Sequence, residues 1–151
     1  MIKNIIDLHM HSGYSDDGEF KPSVLVQMCK DAGLKYIAVA DHNSVKGVEE
    51  AVNKGEELGV KVIPAIEIDC TYEGVNLHVL GYYIDYNLKE FGELEENILK
   101  QEKKASPERL RLVEETGIYV NRDKLSKIAK NGIIIGEDIA EASVYEPENK
   151  D

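Results

Sequence analysis

The chain has 151 residues, 42% of them hydrophobic and 31% charged, which is the length and composition of one ordinary domain able to bury a core, and which excludes disorder of the whole chain. Its formal net charge is -11, from 29 acidic against 18 basic residues. That balance argues against sequence-independent binding to a nucleic-acid backbone, which needs a basic surface, but it leaves room for an anionic substrate where bound divalent cations invert the local field.

In chain order, residues 5–11 alternate apolar and polar, the period of a β-strand, so that Ile6, Leu8 and Met10 point to one side and Asp7, His9 and His11 to the other. A Gly/Ser/Asp-rich loop follows at residues 12–19. Pro22 opens a helix, where its missing N–H costs nothing; Leu25, Met28, Cys29 and Ala32 line one face and Gly33 stops it. Residues 36–40 form a short apolar strand ending in Asp41-His42. Ser44 is the expected N-cap of a helix carrying Val45, Val48, Val52 and Leu58, with Gly59 as its stop. Residues 62–68 read as the third strand. This alternation implies parallel pairing with right-handed crossovers. CTYEGV, residues 70–75, is a hairpin turn and residues 77–84 a further strand.

From Leu88 the chain is helical and heavily charged, with Leu88, Phe91, Leu94, Ile98 and Ala105 at helical spacing and Ser106-Pro107 as a restart or kink. Leu110 and Val113 extend the apolar side to Gly117. Short helices at residues 125–129 and 137–143 flank a turn at Asn131-Gly132, and the tail EPENKD is expected to fray. Cys29 and Cys70 lack metal-type spacing and suit a reducing compartment; Cys29 falls on an apolar helical position. No stretch approaches the ~20 apolar residues of a membrane span, and the opening MIKNIIDLHMH lacks the apolar core of a secretory signal. The protein therefore reads as soluble and cytoplasmic.

The chemistry-bearing residues gather at strand ends. His9 and His11 close strand one, Asp16 and Asp17 lie in the loop leaving it, and Asp41-His42 closes strand two. Glu67 interrupts the apolar run IPAIEI, where a lone carboxylate is out of place unless paired or bound. With the hairpin turning at residues 72–73 or 73–74, His78 comes back onto the face of Glu67, directly opposite it or one diagonal step away. Each residue alone has a bland reading: a helix-capping Asp41, a half-buried His42, a salt-bridged Glu67, a His78 on a wet sheet face. Their coincidence at one edge favours a metal site, and mixed imidazole and carboxylate donors suit Zn, Mn or Fe better than Ca.

DLHMHSGYSDDGEFKPSVLVQMCKDAGLKYIAVADHNSVKG, then PAIEI, then LHVLGYYI, resembles the PHP (polymerase and histidinol phosphatase) metal-dependent phosphoesterases over residues 5–86. The resemblance implies an α/β fold, the N-terminal half of a distorted, TIM-like β/α barrel over residues 1–87. A helical insertion subdomain over 88–145 is similar to the one capping the site in the small nucleotide-phosphatase branch, and 146–151 is a disordered tail. It implies up to three divalent metals: His9, His11 and Glu67 on one, Asp16 and His42 on a second, and Glu67 bridging to a third held by His78. Asp16 matches the family spacing after His11, with the neighbouring Asp17 as the alternative. Asp41 would orient His42 or a water, so that Asp41 and Glu67 are the expected catalytic residues.

The family continues for a comparable length, with a further histidine and a late Asp-x-His, whereas this chain has no histidine after His78. A complete barrel takes roughly 250 residues. The expectation is therefore a truncated, weakly active hydrolase of a phosphate ester, the substrate a phosphorylated small molecule such as a nucleotide. About one tightly held metal per chain is expected, with self-association through open barrel edges and no membrane or strong nucleic-acid partner. The rival readings are a non-catalytic metal-binding fragment, a module completed by another chain, and an amidohydrolase.

Overall fold

Parallel pairing organises the first part of the molecule. In the computed structural model, which describes residues 5–149, strands β1 (Ile6–Met10), β2 (Tyr36–Val39) and β3 (Lys61–Val62) form a parallel sheet in the order β1-β2-β3. Helix α1 (Pro22–Ala32) connects the first pair and α2 (Val48–Leu58) the second. Strands β4 (Ala65–Tyr72) and β5 (Val75–Tyr82) make a two-stranded antiparallel hairpin, and helices α3 (Lys89–Glu114), α4 (Arg122–Ile128) and α5 (Gly136–Ser143) follow. The chain divides into two compact units, one up to Glu95 and one from Glu96 onward. The architecture is α/β; among the described residues these strands do not close a barrel. The readings of the first four residues and of the last two of the tail lie outside the described part.

β2 shows why the sheet is buried on both faces. Ile37 and Val39 pack with Val26, Cys29, Ala51, Val60 and Val62 under the two helices. Ala38 and Ala40 face the other way, with Ile63 and Ala65, and Leu8 and Leu80 pack against them. Near-continuous apolar runs are what a doubly covered parallel strand requires.

The expected alternation of β1 is broken. Asp7 pairs with Ile37 but Met10 with Val39, so β1 carries one extra residue between them. This bulge puts Leu8 in the Ala38/Ala40 layer and Met10 on the helix side against the Val26/Cys29 cluster, on opposite faces rather than one. The third strand differs as well: it is two pieces, β3 and β4, split at Pro64, which has no N–H for a ladder. Parallel pairing nonetheless resumes past the break, through a bridge between His42 and Glu67.

On α1 the buried face is Pro22, Val26 and Cys29, with Leu25 partly buried; Met28, expected inside, is exposed. The helix ends in a left-handed Gly33 at φ 86°, with Leu34 N–H returning to the Cys29 carbonyl. α2 starts at Val48 and not behind Ser44, whose hydroxyl instead accepts from Lys46 N–H at 3.3 Å inside a turn. Gly47 precedes the helix, and a Cβ there would lie 2.9 Å from Asp41 Oδ2 and 3.0 Å from Pro22 Cγ, so glycine lets the chain pass close to Asp41.

Glu50 on α2 accepts from Ser23 N–H on α1 at 3.0 Å, and the Ser23 hydrogen bonds hold its carboxyl below the usual range. A lowered carboxyl contributes stability that is present above the unfolded-state value and lost as pH falls through the folded one. Glu50→Gln should accordingly lower Tm at neutral pH, and the gap from wild type should close on acidification through the carboxylate range; thermal melts at several pH values check this.

In the second unit, Leu110, Val120, Leu125, Ile139 and Ala142 form a small helical core. α3 runs unbroken through Pro107, where a restart or kink was expected. Beside it the Ser106 hydroxyl donates to the Glu102 carbonyl and accepts from Ile134 N–H, both at 2.8 Å. The tail does not fray as far as it is described: Pro147–Asn149 makes a 3₁₀ turn, and the Asn149 amide donates to the carbonyls of Tyr119 and Ser143.

Candidate metal centre

All four histidines of the chain stand in one row: ring centroids are 5.0 Å apart from His9 to His11, 4.6 Å from His11 to His42 and 5.0 Å from His42 to His78. Three elements deliver them. β1 carries His9 and ends just before His11, the chain leaving β2 carries His42, and β5 carries His78.

Glu67 on β4 lies at the middle of the row, its side chain 3% exposed. Its Oε2 is 2.8 Å from Nε2 of both His9 and His11 and 3.7 Å from Nε2 of His42; its Oε1 is 2.9 Å from Nδ1 of His78. Burial pushes the Glu67 carboxyl up, but the His9 hydrogen bond and the charges of His42, His9 and His11 together outweigh it and hold it below the ordinary range.

The hairpin register accounts for His78. The turn falls at Glu73-Gly74, both at positive φ (49° and 78°), the backbone of a tight two-residue hairpin turn. That sets Glu67 opposite Leu80 and Asp69 opposite His78, so the Glu67–His78 contact is the diagonal one. Asp69 was not singled out from sequence, yet it shares the face of Glu67 two residues on: its Oδ1 is 2.8 Å from Nδ1 of His42 and 3.6 Å from Nε2 of His78. Strand parity was the available signal.

In the loop after β1, Asp17 reaches the histidines: its Oδ2 is 2.7 Å from His11 Nδ1 and 3.7 Å from His42 Nε2. Asp16 is in none of the three groups of potential ligands that the described residues form, which are His9/His11/Glu67, His11/Asp17/His42 and His42/Asp69/His78. The Asp17-Gly18 dipeptide held that information, because Gly18 pins this part of the loop against Ser12.

Asp41, expected to orient His42 or a water, takes Ser12 N–H on Oδ1 at 2.5 Å and the Ser12 hydroxyl on Oδ2 at 2.7 Å. It is 1% exposed; burial pushes its carboxyl up and the Ser12 hydrogen bonds only partly offset this. Asp41 thus anchors the loop that carries Asp17, while His42 N–H is held by the Ser15 hydroxyl at 2.7 Å.

Whether a cation fits can be judged from the first group. His9 Nε2, His11 Nε2 and Glu67 Oε2 form a triangle with edges of 3.1, 2.8 and 2.8 Å. With a hydrogen on His9 Nε2 toward Glu67 and the His11 hydrogen on Nδ1 toward Asp17, the lone pair of His11 Nε2 turns into the triangle. Ligand bonds of ~2.0–2.1 Å in a tetrahedral site separate neighbouring donors by about 3.3 Å, close to these edges. The donor set fits a divalent cation.

Fold and site together define an α/β protein with an imidazole–carboxylate cluster at the C-terminal ends of its parallel strands. The chain belongs to the PHP domain family, whose profile matches residues 7–133. It is 35% identical over 79 residues to a 5'-3' exoribonuclease of Haemophilus influenzae, an alignment covering 52% of this chain and 28% of that protein. A solved structure from Bifidobacterium adolescentis, described as a candidate metal-dependent phosphoesterase, superposes with a TM-score of 0.71 at 26% identity, over 95% of this chain and 52% of that one. An amidohydrolase structure from Chromobacterium violaceum has the same TM-score at 23% identity, over 91% and 49%, and shows the shared fold. The chain spans about half or less of the length of these proteins. Among the described residues no helix is long and apolar enough to cross a membrane.

Proposed function

We propose that the chain is a metal-dependent phosphoesterase unit in which divalent cations are held by His9, His11 and Glu67, with Asp17, His42 and His78 completing neighbouring positions. The observation that carries this reading is the inward-turned triangle of His9, His11 and Glu67, whose three donor atoms stand at the spacing of neighbouring ligands on one cation. Zn, Mn or Fe suits the mixed donors. When bound, such ions lower the pKa of water from ~16 to about 7 and neutralise phosphoryl charge.

The chain's own residues do the rest. Glu67 presents both oxygens to the row, so it can serve two positions from a rigid strand, and Asp41 keeps the Asp17 loop seated through Ser12. The exposed flanks, His9 at 46% and His78 at 55%, leave the row open to a substrate. A phosphate ester, and more finely an ester of a nucleotide, is the substrate proposed; the exoribonuclease relative, which acts on RNA by name, is in keeping with phosphoester chemistry. The first position, with three protein ligands, is expected to hold its metal tightly and the others weakly.

Elemental analysis after dialysis, paired with assays on p-nitrophenyl phosphate, bis-p-nitrophenyl phosphate and amide and lactone esters, tests the reading. The expected result is about one retained metal per chain and metal-dependent release of p-nitrophenol, with both lost in His9→Ala. Bound metal without turnover of any phosphoester would make the unit a metal-binding module, and turnover confined to the amide or lactone would make it an amidohydrolase.

A further inference from the structure

We infer that Asp69, clamped by Asn43, is a positioning residue that fixes His42 with its proton on Nδ1 and its bare Nε2 turned toward Asp17 and Glu67. Residues 41–43 run alongside 67–69: Glu67 N–H donates to the Asp41 carbonyl at 3.1 Å and Asn43 N–H to the Glu67 carbonyl at 2.7 Å. Asn43 is 8% exposed and sits at φ 56°, a left-handed conformation that asparagine tolerates better than most residues. In that conformation its side-chain amide faces Asp69 with both ends. Nδ2 donates to Asp69 Oδ2 at 2.8 Å, and Oδ1 accepts from Asp69 N–H at 3.0 Å. The clamp occupies one carboxylate oxygen of Asp69 and leaves Oδ1 for His42 Nδ1, 2.8 Å away.

A carboxylate only accepts, so the hydrogen in that contact belongs to His42 Nδ1, and the lone pair of the neutral ring is left on Nε2. Nε2 is the atom 3.7 Å from both Asp17 Oδ2 and Glu67 Oε2, where a second cation is proposed. A carboxylate fixing the tautomer and orientation of a ligand histidine is a known way of raising its basicity toward a metal. On this assignment Asp69 acts through His42 and the geometric group His42/Asp69/His78 does not ligate through His42.

The metal consequence rests on the proposed function, but the tautomer does not, so the two fail separately. Long-range ¹⁵N–¹H correlation spectra of the metal-free wild-type protein at pH 8 should show His42 protonated on Nδ1. In Asp69→Ala the proton should move toward Nε2, with Asn43→Ala shifting it the same way to a lesser extent. Zinc binding beyond the first equivalent should weaken about 10–100-fold in Asp69→Ala. The exchanged pair Asn43→Asp with Asp69→Asn rebuilds the two-bond clamp and returns an acceptor to His42, and should recover the tautomer, with zinc affinity recovering only in part because a neutral amide replaces the carboxylate. His42 protonated on Nε2 in the wild type, or a tautomer unchanged in Asp69→Ala, overturns the inference. So does an exchanged pair in which His42 carries its proton on Nε2, since the rebuilt acceptor would then not set the tautomer. If Asp69→Ala does not fold, the wild-type spectrum still decides.

Discussion

Glu67→Gln should empty the first metal position and take hydrolysis with it, while the secondary structure stays as in wild type. Glutamine has the volume of glutamate but one acceptor oxygen and one NH₂ group, and Glu67 uses both oxygens, Oε2 toward His9, His11 and His42 and Oε1 toward His78. Whichever way the amide turns, a donor faces an imidazole that needs an anion or a shared cation. Loss of an outer partner of a ligand already costs 10–100-fold in metal affinity, so loss of this ligand should cost more than about 100-fold. The fold should survive because β4 is held by its backbone ladder to β5 and by the bridge to His42, not by the Glu67 side chain. Elemental analysis and circular dichroism on the same sample check both halves; full metal content with unchanged phosphoesterase turnover would refute the assignment of Glu67.

Gly18→Ala should be the most damaging single methyl in the chain. A Cβ at Gly18 would stand 1.7 Å from the Ser12 carbonyl oxygen and 2.3 Å from its carbon, and both are backbone. Ser12 cannot retreat, because its N–H and hydroxyl are tied to buried Asp41 and its carbonyl accepts from Ser15 N–H at 2.9 Å. Forced overpacking of this kind costs about 3 kcal/mol or more, a fall of at least ~12 °C in Tm for a unit of this size. Asp17 moves with its neighbour, so metal retention should fall as well. The contrast is Gly92→Ala: Gly92 lies in α3 with nothing within 4 Å of its added Cβ, and alanine there should stabilise by about 0.5–1 kcal/mol. Parallel thermal melts of the two variants test the pair; equal effects would show that the Ser12 contact does not limit the loop.

Much of this was legible in the chain because it rests on short-range rules. Pro22 and Gly33 bound α1, and the strand–helix alternation implied the parallel order of β1, β2 and β3. The face shared by Glu67 and His78 survived an uncertain turn because a two-residue slip conserves parity. What escaped depends on contacts that periodicity does not encode. The extra residue in β1 turns Leu8 and Met10 to opposite faces, and no pattern in IDLHMH announces it. Asp41 looked like a partner for the adjacent His42, but neighbours along an extended chain point apart, and its carboxylate meets Ser12 across the sheet edge. Spacing from His11 left Asp16 and Asp17 as alternatives, and the contact of Asp17 Oδ2 with His11 Nδ1 at 2.7 Å depends on how the loop is seated beside Gly18, which spacing does not encode.

The row of rings sets an order of filling. The three groups of donors contain two histidines each, yet His11 and His42 are counted twice, so four rings must serve six places. A neutral imidazole can give its electron pair to one ion at a time. With the Nδ1 of His42 committed to Asp69, an ion seated between His11 and His42 competes for His11 with the position at His9, and the two outer positions share no ring. Occupancy along the row is a negotiation between adjacent seats: the first ion to arrive is bound on the best terms, and each later one meets a row whose histidines are already partly committed.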